Sequence, residues 1–176
     1  MTGLLMVLAV FGTGFAPVPR TGEDHIRWRP ERRLNWSDFQ ARPERGTGMD
    51  AQTESGISFS WSCDWRGFEM EAYAMMVPSK SWVKKESKYL LAHEQAHFDI
   101  TEVHARKLRK FFGEKRDPCS MGKAAINQGA ERILSASFAM QNTYDRETQH
   151  GYDEAEQARW LKKIAGMLKE LEAWAE

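Results

Sequence analysis

Cysteine is scarce. Cys63 and Cys119 are the only two in 176 residues. Neither belongs to a C-x-x-C pair, so a structural zinc site built on thiolates is not expected. The two can still join as a disulfide if the chain reaches an oxidising compartment. Net charge is lacking too. Lysine plus arginine number 25 and aspartate plus glutamate 25. That balance supplies no basic face, so nucleic acid is not an expected partner. Long apolar runs are also missing. The longest, Met1 to Ala16, falls short of the about 20 residues a bilayer-spanning helix needs. Internal repeats and low-complexity stretches are absent. The length suits one domain with a real core and is short for two.

The Met1 to Ala16 run is uncharged, with Gly14 and Ala16 as small residues before a possible cut. It reads as a signal peptide, although it lacks the usual initial lysine or arginine and Pro17 follows the cut. The mature protein is then a single domain over 17–176, secreted or periplasmic, and not integral to a membrane after export. No cysteine follows the run closely, so a lipid anchor is not expected.

Beyond the leader, Ile26 and Trp28 alternate with charged residues and predict a short strand ended by Pro30. Leu34, Trp36 and Phe39 form an aromatic-rich plug, with Ser37 as a possible cap for one helical turn. Residues 42–50 are loop. Ile57, Phe59, Trp61 and Cys63 then alternate with Ser58, Ser60 and Ser62. After a turn over 64–67, Phe68, Met70, Ala72, Ala74 and Met76 alternate with Glu69, Glu71, Tyr73 and Met75. Period-two patterns on both sides of a turn predict an antiparallel hairpin. Its second strand, 68–77, is one place where an extended substrate could add as a further strand.

Three helices should follow. The first, capped by Ser81 or Ser87, runs to about Phe112 with Gly113 as its stop. The second opens at Asp117-Pro118 and ends near Gln141, with Gly129 loosening it midway and a polar loop over 142–151. The third is capped by Asp153 and Glu156, and buries Gln157, Leu161, Ile164, Leu168 and Leu171. The class is α+β: a small antiparallel sheet from the N-terminal half, packed on one long helix and two more.

That long helix carries His93-Glu94-Gln95-Ala96-His97. Residues four apart share a helix face, so both imidazoles can reach one metal ion. Leu90, His93, His97, Ile100, His104, Leu108 and Phe111 follow steps of three and four. The stripe is otherwise apolar, so the histidines face inward, where unpartnered imidazoles are costly. Neutral imidazole suits Zn2+, and a carboxylate at the position of Glu94 can act as general base on a water beside the ion. The pattern points to a zinc-dependent hydrolase of the zincin type, with a peptidase acting on a protein or peptide substrate as the leading reading.

Two imidazoles need a third ligand. His104 lies about 10 Å further along an unbroken helix, out of reach of a bond of about 2 Å. His25 sits near the presumed processing site. His150 is therefore ranked first, Glu147 second and Glu131 third. Tyr144 and Tyr152 flank the same segment, and either can supply a hydrogen bond to a developing oxyanion. Asp99, Asp145 and Thr148 can orient a ligand ring. The rival reading is an exported zinc-binding protein without turnover, or an inactive zincin scaffold. It predicts a closed site with Glu147 and His150 both on the metal.

The chain resembles a bacterial family described as predicted secreted zinc-dependent proteases, within the zincin group and formerly a domain of unknown function. The resemblance rests on Leu34 to Phe39, Thr53 and Ser55, Ser81 to Val83, Leu90 to Ile100, Tyr144 to Gly151, Gln157 and Trp160. It implies a zincin-like fold and metal-assisted peptide hydrolysis, with His93, Glu94 and His97 in the zincin roles. It does not fix the third ligand.

Overall fold

Two long strands form the hairpin that the alternation predicts: β3 (Ser55–Asp64) and β4 (Gly67–Met76). The computed structural model describes residues 24–176, so the leader expected over 1–16 lies outside the described residues. Trp65 and Arg66 make the turn, and the antiparallel register pairs Ile57 with Ala74 and Phe59 with Ala72 on the core face. Ser58 and Ser60 oppose Tyr73 and Glu71 on the other face. Met75 departs from the pattern, being 1% exposed on that second face. The short β1 (Ile26–Arg27) pairs with the far side of β4, giving the order β1-β4-β3. β4 is therefore the middle strand, although β1 covers its outer edge only opposite Met75 and Met76. Among the described residues the other edge of the sheet, that of β3, is free. β2 (Ala51–Gln52) and β5 (Trp82–Val83) form a separate two-stranded ribbon.

The 26-residue α1 (Lys88–Gly113) crosses the sheet. Ser87, not Ser81, caps it by accepting from the Leu90 amide at 3.0 Å. Its sheet side carries Ala105, Leu108 and Phe112, and the Phe112 ring stacks on Phe59 with centroids 5.6 Å apart. Its opposite side sets Ala96, Ile100 and Val103 against Tyr144, Trp160 and Ile164. A helix covered on both sides buries whatever it carries, so its charges must find partners. Glu102 accepts from Arg106 at 2.9 Å and from Arg109 at 2.6 Å, and Arg106 also donates to the Leu168 carbonyl at 2.7 Å.

Asp99 is spent in the same way. It accepts from the Trp28 indole and the Gln95 amide, each at 2.8 Å, and pairs with Arg33 at 3.1 Å. It anchors the N-terminal segment and orients no ligand ring. In that segment Trp36–Asp38 is a 3-10 turn capped by Asn35 rather than by Ser37, with Asp38 completing a capping box.

The second helix differs from expectation at both ends. Asp117 caps a 3-10 turn, Pro118–Met121, and the chain breaks at Gly122 (φ 77°) before α2 (Gly122–Thr148) begins. Gly129 does not loosen it. A side chain there would meet the Phe111 ring at 2.6 Å, so glycine allows α2 to approach α1. At its far end α2 continues through 142–148, the stretch expected as loop. Cys63 and Cys119 form a disulfide with Cα atoms 5.9 Å apart, tying the end of β3 to the turn before α2.

Gln149 (φ 51°), His150 (φ 56°) and Gly151 (φ 86°) then reverse the chain in three consecutive left-handed residues. Asp153 caps α3 (Glu154–Glu170) through the Glu156 amide at 2.9 Å. The result is α+β, a small antiparallel sheet with three helices. No helix among the described residues is long and apolar enough to cross a membrane.

Candidate metal centre

His93 and His97 sit one turn apart on α1, and the last turns of α2 bring Asp145 to them. The Asp145 Oδ1 atom lies 3.2 Å from His93 Nε2 and 2.9 Å from His97 Nε2. The two Nε2 atoms are 3.2 Å apart. Donors about 2 Å from one tetrahedral zinc ion lie about 3.3 Å from each other, so this triangle is the size such an ion requires.

The rings are aimed there by two glutamines. Gln157 donates its amide to the Tyr89 carbonyl (3.2 Å), which turns its Oε1 to His93 Nδ1, also at 3.2 Å. Gln141 donates to the His97 carbonyl (2.8 Å) and to Thr101 (3.1 Å), which turns its Oε1 to His97 Nδ1 at 2.6 Å. Each Nδ1 therefore carries the proton it donates, which leaves Nε2 as the atom each ring can offer to a metal ion. The charges of the three groups are coupled. Burial opposes a charged His97, but the Asp145 carboxylate outweighs it and pushes the pKa up to about 9. Burial likewise opposes an ionised Asp145, yet His97 and hydrogen bonds from both rings hold its carboxyl well below the usual range. With no ion between them, His97 holds a second proton on the Nε2 that faces Asp145, a proton that an entering metal ion would displace.

Tyr144 lies behind the rings. It is fully buried, stacks on His93 (centroids 4.7 Å) and meets His97 edge-on (5.0 Å). It does not line the cavity in front of them, so its hydroxyl is not placed for an oxyanion. Gly151 closes the other side of His93. A Cβ there would come within 3.2 Å of the ring, and φ is 86°, so glycine is required twice over. Thr148 holds this turn by donating to the Tyr144 carbonyl (2.7 Å) and accepting from the Gly151 amide (3.3 Å).

In front of the rings is a cavity of about 490 Å³. Its floor is α1, one wall is residues 50–57 with the free edge of β3, and the other is α2. Glu94 lines it, is 3% exposed, and has one carboxylate oxygen, Oε2, without a hydrogen-bond partner among the described residues. Tyr152 stands at the mouth, 67% exposed, donating to Asp50 Oδ2 at 3.2 Å.

The expected third ligands are not in the triangle. His150 has a side chain 55% exposed, and its Nδ1 is 3.8 Å from Asp145 Oδ1. The tight turn carries it past the rings to the rim. Glu147 is turned outward and accepts from the Trp160 indole at 2.9 Å. Glu131 is exposed on α2, about 21 Å of helix before Asp145. Asp145, expected to orient a ligand ring, instead occupies the third position; among the described residues His93, His97 and Asp145 are the one set able to hold a metal ion.

His104 faces away from the centre and is 2% exposed. Its Nδ1 donates to the Ile100 carbonyl (3.0 Å) and Lys107 approaches its Nε2 (3.4 Å). Burial, aided by Lys107, pushes its pKa down to about 4. The unfolded chain then takes up this proton first, near pH 6.5, so stability falls as pH drops from about 6.5 to 4. The loss is on the order of 3 kcal/mol. Urea titrations of wild type and His104→Gln at pH 7 and pH 4 should show a smaller acid loss in the variant. An equal loss would mean that His104 titrates normally.

The family model that matches the chain covers residues 32–151, from the N-terminal plug through His93, Glu94, His97 and Asp145 to Gly151. No curated protein and no solved structure matches it. With the match spanning more than half of its length, the chain belongs to the family described as Bacterial protein of unknown function (DUF922).

Proposed function

We propose that the protein is a zinc-dependent hydrolase with a zincin-like centre, acting on peptide bonds. The observation that carries this reading is the triangle of His93 Nε2, His97 Nε2 and Asp145 Oδ1, with the unpartnered Glu94 carboxylate on the cavity beside it. His93, His97 and Asp145 would hold the ion. Bound there, zinc supplies a Lewis acid and a water acidified toward neutrality. With the ion bound, Glu94 would serve as general base toward water in the cleft and as general acid toward the departing amine. Gln141 and Gln157 keep the imidazoles in register, and Tyr144 and Gly151 wedge the His93 ring. A polypeptide in extended form can lie along the free edge of β3, which borders the cavity. The Cys63–Cys119 disulfide supports an exported, oxidised setting, secreted or periplasmic.

A zinc protein without turnover is the second reading. It is favoured by His150, whose Nδ1 stands 3.8 Å from Asp145 Oδ1 at the rim of the same site, where a fourth ligand would close it. One experiment separates the two. Zinc content is measured by plasma emission, and cleavage of a quenched-fluorescent peptide library is followed before chelation, after it and after zinc is restored. The hydrolase reading expects about one zinc per chain and activity that vanishes and returns with it. Stoichiometric zinc with no cleavage of any library member supports the second reading.

A further inference from the structure

The turn that ends α2 carries a histidine where the backbone is poorly suited to one. Gln149, His150 and Gly151 are all left-handed, with φ of 51°, 56° and 86°. A Cβ crowds the following carbonyl in that region, and residues other than glycine persist there when their surroundings fix them. Here the fixing bonds are made by the main chain. The His150 amide donates to the Asp145 carbonyl at 2.8 Å, the Gly151 amide to the Thr148 carbonyl at 3.0 Å and the Asp153 amide to that same carbonyl at 2.9 Å. None of these bonds needs an imidazole, and glycine at 150 would make the same turn with less strain. The turn accounts for the backbone at 150 but not for the ring.

The ring lines the cavity on the Asp145 side of the centre. It makes no hydrogen bond among the described residues, and its Nδ1 lies 3.8 Å from Asp145 Oδ1. That gap is too long for a hydrogen bond, and longer than the about 3.3 Å between two donors on one zinc ion. It suits a nitrogen that reaches the centre through one more oxygen atom, that of a ligand seated in the cavity. The two tyrosine hydroxyls of this segment are placed elsewhere: Tyr144 stacks behind the His93 ring, and Tyr152 donates to Asp50. A proton on Nδ1 is the tautomer that the nearby carboxylate favours. We propose that His150 is a catalytic residue that donates a hydrogen bond from Nδ1 to the carbonyl oxygen of the bond being cleaved. The inference rests on the peptidase reading. As water adds to the carbonyl carbon, the C=O electron pair moves onto oxygen, and the N–H dipole stabilises that charge. When the C–N bond breaks, the pair returns to the carbonyl, and the nitrogen leaves with the proton that Glu94 accepted from water in the cleft. His150 keeps its own proton throughout.

His150→Gly tests this in the full-length, zinc-loaded protein, because it relieves the turn while removing the ring. The thermal midpoint should hold or rise, and zinc should stay at about one per chain. For the library peptide that wild type cleaves fastest, kcat should fall by about 10²–10³-fold with KM moved by less than about threefold, as expected for the loss of one oxyanion donor. Imidazole added to the buffer should restore part of the lost rate in the variant and leave wild type unchanged. Binding gives a readout without turnover. In the Glu94→Gln background, adding His150→Gly should weaken the phosphinic analogue of that peptide, whose tetrahedral anion mimics the charged carbonyl, by about tenfold and the amide peptide by less than about twofold. Loss of zinc in His150→Gly would make the residue a ligand. A kcat within about threefold of wild type, or an unchanged phosphinic affinity, would make it a bystander. Each of these results overturns the inference and leaves the peptidase reading standing, whereas a wild type that cleaves no library member removes the peptidase reading and this inference with it.

Discussion

Asp145→Ala is expected to empty the centre. Zinc retained after dialysis should fall from about one per chain to near zero, with affinity down by more than about a hundredfold, beyond the range typical of residues that merely orient a ligand. The reason is geometric. One oxygen, Oδ1, stands within 3.2 Å of both imidazole nitrogens, and among the described residues this carboxylate carries the only negative charge in direct contact with them. Its loss leaves two lone pairs facing each other with nothing to complete the triangle. His150→Ala is the decisive companion, because His150 is the residue the sequence favours for the same role. Its side chain is 55% exposed at the rim, so the variant should keep its zinc within about threefold. Gln141→Leu and Gln157→Leu should fall between, at about 10–100-fold, since each removes an acceptor that fixes a tautomer. Zinc lost in His150→Ala and kept in Asp145→Ala would reverse the assignment. Both substituted side chains lie on the cavity rather than in the apolar clusters, so circular dichroism should show the fold intact in each.

Why spacing alone points to His150 is instructive. The hairpin is legible because each of its strands buries one face: Ile57 and Phe59 against Ala74 and Ala72, with serines opposite. Helix α1 is legible because its buried members recur in steps of three and four and Ser87 announces its start, although Ile100 packs toward α2 and α3 and Leu108 toward the sheet. The last turns of α2 obey the same periodicity, but with polar members. Ala130, Leu134, Ser137, Gln141, Tyr144 and Thr148 continue in steps of three and four. Hydrophobic patterning stops at Leu134, since from there the helix faces a polar site instead of an apolar core. Read as loop, 142–151 offers His150 and Glu147 as freely as Asp145. Read as helix, it presents Asp145 one position from the buried Tyr144 and turns Glu147 outward to Trp160. The three left-handed residues that end α2 are announced only by Gly151, and that turn decides where His150 goes. Gln141 and Gln157 carry no motif of their own. Their signal is that a glutamine interrupts the buried stripe of its helix, which calls for a partner on the facing element.

Glu94→Gln should separate metal binding from chemistry. Glu94 is next to His93 in sequence, yet its carboxylate is absent from the triangle and lines the cavity with Oε2 unpartnered. Glutamine has the same shape, and the buried site asks no hydrogen bond of Oε2 that the substitution would break. Zinc content and thermal midpoint should therefore stay close to wild type. Turnover should not. Removal of a general base costs about 10²–10⁴ in rate, and here the same group is asked both to take a proton from water and to hand it to the amine. The loss should appear in kcat with KM little moved, because the group acts on the reacting atoms and not on remote parts of the peptide. Glu94→Asp makes the reading sharper: it keeps the charge and withdraws it by one methylene, so partial activity is expected. A Glu94→Gln protein that retains zinc and cleaves within tenfold of wild type would place the base elsewhere, on His150 or Glu54 at the cavity wall. One that loses zinc with its activity would place Glu94 on the metal, against the geometry that leaves its oxygen facing the cleft.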